Sequence, residues 1–158
     1  YFQAGDVVPG RTYSRWMGVL GDADAFDATF FNISPREARA MDPQQRVFLE
    51  ACWHAIEHAG LDPKSLGGSR CGVFAGCSAG DYHQRSRHEQ WSGQGFTGAA
   101  PSILAARIAY VLDLHGPNLS IDTACSSSLV AVATACDSLA SGGSDLALAG
   151  GVNVMSGP

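Results

Sequence analysis

Several features that would assign the chain to a familiar class are missing from its 158 residues. A membrane span needs a run of about 18 apolar residues, and none is present. The N-terminus lacks the basic region followed by an apolar one that is typical of a signal peptide. There is no Lys/Arg-rich stretch, and the formal net charge is −5, whereas binding to phosphates requires a basic face. The sequence therefore predicts a globular protein that acts on neither membranes nor nucleic acids.

The cysteines also lack the patterns of a disulfide or metal protein. No Cys-x-x-Cys pair occurs, the count of five is odd, and no histidine stands at ligand spacing from a cysteine. We expect no metal, no directly bound cofactor and a reducing cytoplasm as the compartment. A buried structural role is predicted for four of them: Cys52, Cys71, Cys77 and Cys136.

The length and the 46% hydrophobic content fit one domain or part of one. Residues 1–4 resemble the remnant of a protease-cleavage tag, so residues 5–158 are taken as the structural segment. Within it, residues 5–34 are predicted to be irregular with a short strand. Residues 77–100 are predicted to be a polar loop with one helical turn at most.

Two helix starts follow each other in the sequence. Ser34 stands before a proline, and Asp42 stands before another, which is typical of a capping residue followed by the first helical position. Gln45 stands three residues after Asp42, close to a capping box. The second helix is predicted to end at Gly60, with an apolar face of Val47, Leu49, Ala51, Cys52, Ala55 and Ile56.

Strands and helices alternate through the rest of the chain. The predicted strands cover residues 71–76, 118–122 and 145–154. The predicted helices cover residues 101–112 and a longer segment that opens at Ser126 and ends at Gly142. This alternation is typical of an α/β layered fold.

Cys125 is the strongest candidate for chemistry. It lies between a predicted strand and a helix N-terminus, as a nucleophile does in the elbow of hydrolases. The unpaired N–H groups and partial positive charge of a helix start favour a thiolate and can hold a developing oxyanion. The position therefore predicts a cysteine that forms a thioester, although local sequence alone leaves a buried structural cysteine as the alternative.

The residues around Cys125 resemble a known family. The segment Asp122-Thr123-Ala124-Cys125-Ser126-Ser127-Ser128-Leu129 is similar to the active-site motif of β-ketoacyl synthases, specifically the ketosynthase domains of modular type I polyketide synthases. Other stretches are similar to the same family, and they cover residues 30–38, 41–46, 72–74, 104–108, 114–117 and 149–153. The resemblance extends over nearly all of the chain after the tag-like start.

The resemblance implies a thiolase-like fold with αβαβα layers and a homodimer that pairs through residues 118–121. It implies that Cys125 accepts an acyl chain from the phosphopantetheine arm of an acyl carrier protein. A malonyl-type extender then loses carbon dioxide and attacks the thioester, in a decarboxylative Claisen condensation. The resemblance thus implies an acyltransferase of polyketide chain elongation.

The sequence departs from the family in its histidines. Ketosynthases use one histidine in a His-Gly-Thr-Gly-Thr motif and one after Asn-Val-Gly, and neither motif occurs here. The family's first strand and the second oxyanion donor are also missing, so we interpret the chain as an incomplete half, the N-terminal and central segment of the domain. Such a half leaves apolar surface uncovered, and a second chain with the remaining half, or another copy, is expected to cover it.

Two alternatives stay open. The chain can be an incomplete or non-elongating ketosynthase that acts in acyl transfer, docking or structure only. A thiolase or a cysteine hydrolase is the other, and a hydrolase needs an oriented Cys–His pair for which the sequence offers no clear candidate.

Other polar residues receive ordinary interpretations. His54 and His58 are expected on a helix surface, Ser126 to Ser128 are expected to cap and start the long helix, and Asp122 is expected to be a structural hydrogen-bond partner. Asn153 and Thr97 are candidates for the acyl pocket, although spacing alone does not place them.

Overall fold

A computed structural model describes residues 2–82 and 92–156. Its sheet has three parallel strands, β1 Cys71–Gly76, β2 Asn118–Ile121 and β3 Leu146–Gly151, in the order β2-β1-β3. The helices are α1 Pro35–Ala40, α2 Pro43–His58, α3 Gly93–Ala99, α4 Ile103–Val111 and α5 Ser127–Ala140. The alternation confirms the predicted α/β class. Among these helices, none has the length and hydropathy needed to cross a membrane.

Parallel pairing places the carboxyl ends of the strands at one edge of the sheet. Gly76 pairs with Ile121 on one side and with Gly151 on the other. All six residues of β1 are buried, which confirms the predicted buried strand. Parallel strands need long crossover connections, and here α5 provides the one from β2 to β3. The predicted third strand is confirmed but ends earlier, at Gly151.

The predicted helix starts are confirmed by their capping bonds. Ser34 Oγ accepts from the Glu37 N–H at 3.2 Å, and Asp42 Oδ1 accepts from the Gln44 N–H at 2.9 Å. Gly60 has φ +76°, the left-handed conformation that ends a helix.

The predicted capping box at Gln45 is wrong. Its Nε2 donates to the carbonyl oxygens of Thr97 at 3.1 Å and Gly98 at 3.0 Å, while the Asp42 N–H donates to Gly98 O at 3.0 Å. A capping box needs the Asp42 N–H as donor and Gln45 Oε1 as acceptor. Here the carbonyl at the end of α3 takes the first, and Arg107 Nε donates to Gln45 Oε1 at 2.7 Å.

The irregular regions differ from expectation in two places. An isolated bridge between Phe2 and Thr12 takes the place of the short strand predicted within residues 5–34. Helix α3 has seven residues, more than the single turn predicted within residues 77–100. Residues 83–91 of the predicted polar loop, which include His83, Arg85, Arg87 and His88, lie outside the described residues.

The main core lies between α2, α4 and one face of the sheet. Cys71, Val73 and Ala75 of β1 belong to it, while Phe74 points to the other face and packs with Ala131 and Ala135 of α5. The apolar face of α2 is narrower than predicted, and it buries Phe48, Leu49, Cys52 and Ile56 while Ala51 and Ala55 are exposed.

Helix α5 turns its larger apolar side chains away from the sheet. Only small residues of this helix are fully buried, namely Ser127, Ala131 and Ala135. The outward residues are exposed, and they are Leu129, Val132, Ala133, Cys136 and Leu139. Cys136 is therefore not the buried structural residue that we expected. The uncovered apolar surface predicted for an incomplete half is present on this helix.

Candidate active site

Cys125 sits on a sharp turn between strand and helix. The chain leaves β2 at Ile121, passes through a 3-10 turn over Ala124–Ser126 and enters α5 at Ser127. Ala124 has φ +56°, a left-handed conformation that is uncommon for a residue with a Cβ. Asp122 Oδ1 accepts from the Ala124 N–H at 3.1 Å, which confirms its predicted structural role.

Serine side chains hold this turn in place. Ser127 is buried, and its Oγ accepts from the Thr123 N–H at 2.9 Å and donates to the Ala124 carbonyl oxygen at 2.7 Å. Ser126 Oγ donates to the Thr123 carbonyl oxygen at 2.9 Å. The prediction that the Ser126 side chain caps α5 is wrong, because Ser126 is the last residue of the 3-10 turn, adopts a helical conformation and makes no side-chain capping bond.

Two glycines allow the sheet edge to touch the start of α5. A Cβ at Gly76 would lie 2.6 Å from the Ser127 carbonyl carbon, and one at Gly151 would lie 2.5 Å from Ser128 Cβ. Neither distance is compatible with a real side-chain carbon, so only glycine fits at these two strand ends. The first turn of α5 therefore lies directly against the carboxyl edge of the sheet.

A cavity of about 490 Å³, the cysteine cavity, opens at this edge. It is lined by Gly76, Cys77, Ser78, Ala124, Cys125, Ser127, Ser128, Gly151, Val152 and Asn153. Cys125 is exposed, so an incoming reagent can reach its thiol. The helix start beside it supplies N–H groups and a partial positive charge, an arrangement suited to holding a tetrahedral oxyanion.

The buried cysteines are protected from the same chemistry. Cys52, Cys71 and Cys77 are buried. Burial raises the pKa of all three thiols, that of Cys52 to about 12. Cys77 lines the cavity, but its thiol donates to the Pro101 carbonyl oxygen at 3.8 Å. Cys125 is thus the exposed cysteine of the cavity.

The sequence as a whole matches the family model of the beta-ketoacyl synthase N-terminal domain, over residues 1–158. The chain belongs to the β-ketoacyl synthase family. It is 55% identical over 149 residues to a phenolphthiocerol synthesis polyketide synthase type I of Mycobacterium bovis, covering 94% of this chain and 7% of that protein. It is 53% identical over 153 residues to a polyketide synthase of Streptomyces halstedii, covering 96% of this chain and 2% of that protein.

Solved ketosynthase structures share the fold. An oxazolomycin ketosynthase domain of Streptomyces albus superimposes with a TM-score of 0.84 at 41% identity, over 96% of this chain and 27% of that one. A ketosynthase from the bacillaene synthase of Bacillus subtilis gives 0.78 at 41% identity, over 89% of this chain and 24% of that one. The predicted family and thiolase-like fold are confirmed, and the chain spans about a quarter of these domains.

The other candidate residues lie at different sites in the structure. Asn153 lines the cysteine cavity, as the sequence suggested. Thr97 does not, and it lines a separate cavity of about 200 Å³ beside α4. His54 and His58 are exposed on α2, as expected.

No histidine in residues 2–82 or 92–156 lines the cysteine cavity. His115 Nε2 lies 3.1 Å from Asp113 Oδ1 at an exposed position. Within the same residues, no group of three or more His, Cys, Asp or Glu side chains is arranged to hold a metal ion.

Sequence reasoning missed the loops that complete the cysteine cavity. Cys77 and Ser78 follow β1, and Val152 follows β3. Ligand sites in parallel α/β sheets lie beyond the carboxyl ends of the strands. The signal was therefore available, because each predicted strand end marks a loop at the same edge as Cys125.

Proposed function

We propose that Cys125 is the acyl-accepting nucleophile of a polyketide ketosynthase. Its thiolate attacks the carbonyl carbon of an acyl group held on the phosphopantetheine arm of an acyl carrier protein. A new thioester forms at Cys125 Sγ, the carrier thioester breaks, and the carrier sulfur leaves as a thiol once protonated. The observation that carries this proposal is the exposed Cys125 thiol in a cavity at the start of α5.

The second step of the proposed function is decarboxylative Claisen condensation with a malonyl-type extender. Loss of carbon dioxide from the carrier-bound extender supplies the electron pair that forms a carbon–carbon bond to the acyl carbonyl. The bond to Cys125 Sγ breaks, Cys125 leaves as a thiol once protonated, and the β-ketoacyl chain, two backbone carbons longer, stays on the extender's carrier protein. We assign this step to the complete domain, where the family's two histidine motifs are present.

A non-elongating segment is the second candidate. It is favoured by the lack of any histidine lining the cysteine cavity in the described part of the chain. Such a segment would accept the acyl chain, dock or serve a structural role without extending it. Chain extension measured with and without a chain that carries the histidine motifs separates the two functions, since the elongating one requires extension in the reconstituted pair.

Two surfaces support the proposed partners. Strand β2 lies at an edge of the sheet, with its outer backbone available to pair, and Leu119 is 42% exposed. This edge supports a homodimer through Asn118–Ile121. The exposed apolar face of α5, with Leu129 75% exposed, supports a covering chain that carries the remaining half, or another copy.

The five cysteines are all free thiols, which supports a reducing cytoplasm.

The nucleophile is tested by intact-protein mass spectrometry after incubation with an acyl N-acetylcysteamine thioester. We expect one acyl adduct on the wild-type chain and none on Cys125→Ala. Cys136→Ala is the matched control, because Cys136 is the other exposed cysteine and lies on α5, the helix that follows the Cys125 turn, outside the cavity. This control should keep the adduct. An adduct that survives in Cys125→Ala, or spreads over several cysteines, would contradict the assignment.

A further inference from the structure

We propose that Gln44 is a positioning residue of the cysteine cavity, because its side chain ties together the two loops that follow β1 and β3. Both loops line the cavity, through Ser78 on one and Val152 and Asn153 on the other. The expected effect on acylation rests on the proposed function of Cys125. The tie between the loops does not depend on it.

The side-chain amide of Gln44 bridges segments that are far apart in sequence. Its Nε2 donates to the Ser78 carbonyl oxygen at 3.2 Å, across 34 residues, and its Oε1 accepts from the Val154 N–H at 3.4 Å, across 110 residues. Gln44 itself is 4% exposed. A buried amide with both its carbonyl and its NH₂ group engaged holds a defined separation between its partners.

The bridge lies where direct pairing of the two strands stops. The last backbone bond between them runs from the Val152 N–H to the Gly76 carbonyl oxygen at 2.9 Å. Beyond it, Gln44 joins the two loops, and Asp81 Oδ1 joins them again by accepting from the Ser156 N–H at 2.9 Å and from Ser156 Oγ at 2.8 Å. Side chains thus continue the connection that the sheet no longer provides.

The start of α2 holds Gln44 in position. Asp42 Oδ1 accepts from the Gln44 N–H at 2.9 Å. A Cβ at Gly80 would lie 2.2 Å from Asp42 Oδ2 and 2.9 Å from Gln44 Nε2. The loop after β1 therefore approaches this helix start closely. The Gln44 amide offers both a donor and an acceptor there, whereas a carboxylate lacks the donor and leucine lacks both.

The test compares Gln44→Leu with Gln45→Leu in the full chain. Gln45 is the matched control, because it is 3% exposed and neighbours Gln44 on α2, but it accepts from Arg107 Nε at 2.7 Å and donates to Gly98 O. Hydrogen exchange measures how well the backbone amides of residues 152–156 are protected. The rate of acylation by an acyl N-acetylcysteamine thioester measures whether the cavity keeps its shape. The rate of alkylation by iodoacetamide measures only whether a small reagent can reach the Cys125 thiol.

We expect Gln44→Leu to raise exchange in residues 152–156 about tenfold and to slow acylation about tenfold. Its alkylation rate should change less than about twofold, since a small reagent needs no shaped cavity. Gln45→Leu should lower the Tm yet leave both the local exchange and the acylation within about twofold of wild type. Gln44→Glu keeps the acceptor for the Val154 N–H, should fall between wild type and Gln44→Leu, and carries the test if the leucine variant does not fold.

Exchange at the wild-type level in the Gln44 variants would overturn the proposal, as would an equal rise in Gln45→Leu, which would indicate general destabilisation. Raised exchange with unchanged acylation would overturn the positioning role. If the wild-type chain is not acylated at all, the proposed function fails. The exchange comparison then still decides whether Gln44 ties the loops together.

Discussion

Replacing Gly76 by alanine should push the helix that carries the nucleophile away from the sheet. The new Cβ would lie 2.6 Å from the Ser127 carbonyl carbon and from the Ser128 nitrogen, whereas carbon contacts are optimal at about 3.5–4.0 Å. These neighbours are backbone atoms, so no side-chain rotation relieves the clash, and the helix start must shift by about 1 Å. Overpacking of this kind costs about 1–3 kcal/mol, and a 1 Å misplacement of a reacting group costs about 100-fold in rate.

Gly150→Ala is the matched control for this change. Gly150 lies on the neighbouring strand, and a Cβ there would meet only the Phe48 ring, at an ordinary 3.5 Å. Urea unfolding and the rate of acyl-adduct formation at Cys125 should be measured for both variants. We expect the control to stay within about 0.5 kcal/mol of wild type. A Gly76→Ala protein that is as stable and as reactive as Gly150→Ala would refute the close approach of helix and sheet.

Two further predictions concern a buried thiol and the nucleophile turn. Burial raises the pKa of Cys52 from 9.0 to about 12. The folded chain therefore keeps this proton where the unfolded chain has lost it, and the free energy of unfolding should fall as pH rises from 9.0 towards 12, by at most about 1.4 kcal/mol per pH unit. Urea unfolding across this range should show a shallower fall for Cys52→Ala, and equal slopes would count against the shift. Ser127→Ala removes the bonds to Thr123 and Ala124 and should lower the free energy of unfolding by about 1–3 kcal/mol and slow acylation, while Ser141→Ala at the exposed end of α5 should do neither.

The predictions that succeeded depend on neighbouring residues. Ser34 and Asp42 each stand before a proline and cap a helix by bonds within three residues, so the local pattern was sufficient. The strand, turn and helix around Cys125 were also read correctly, since the break between two periodic segments marks a turn. The family resemblance then placed this turn in a thiolase-like fold.

The predictions that failed depend on what packs against each segment. Gln45 does not complete a capping box because later parts of the chain occupy both groups that the box needs: Gly98 O accepts from the Asp42 N–H, and Arg107 Nε donates to Gln45 Oε1. Cys136 is exposed, not buried, because the face of α5 that lies against the sheet is the one with Ala131 and Ala135. Hydrophobic periodicity locates an apolar face but does not say which face the sheet will occupy.

The sequence by itself determined the order of the elements, the family and the position of the nucleophile. Hydrogen bonds within a few residues, and motifs read along the chain, carry that information. Tertiary structure decided which cysteines are exposed, where the cavity lies and that Gln44 bridges its loops. These features arise between segments 34 to 110 residues apart. They exist only once the parallel strands have brought their carboxyl ends to the same edge of the sheet.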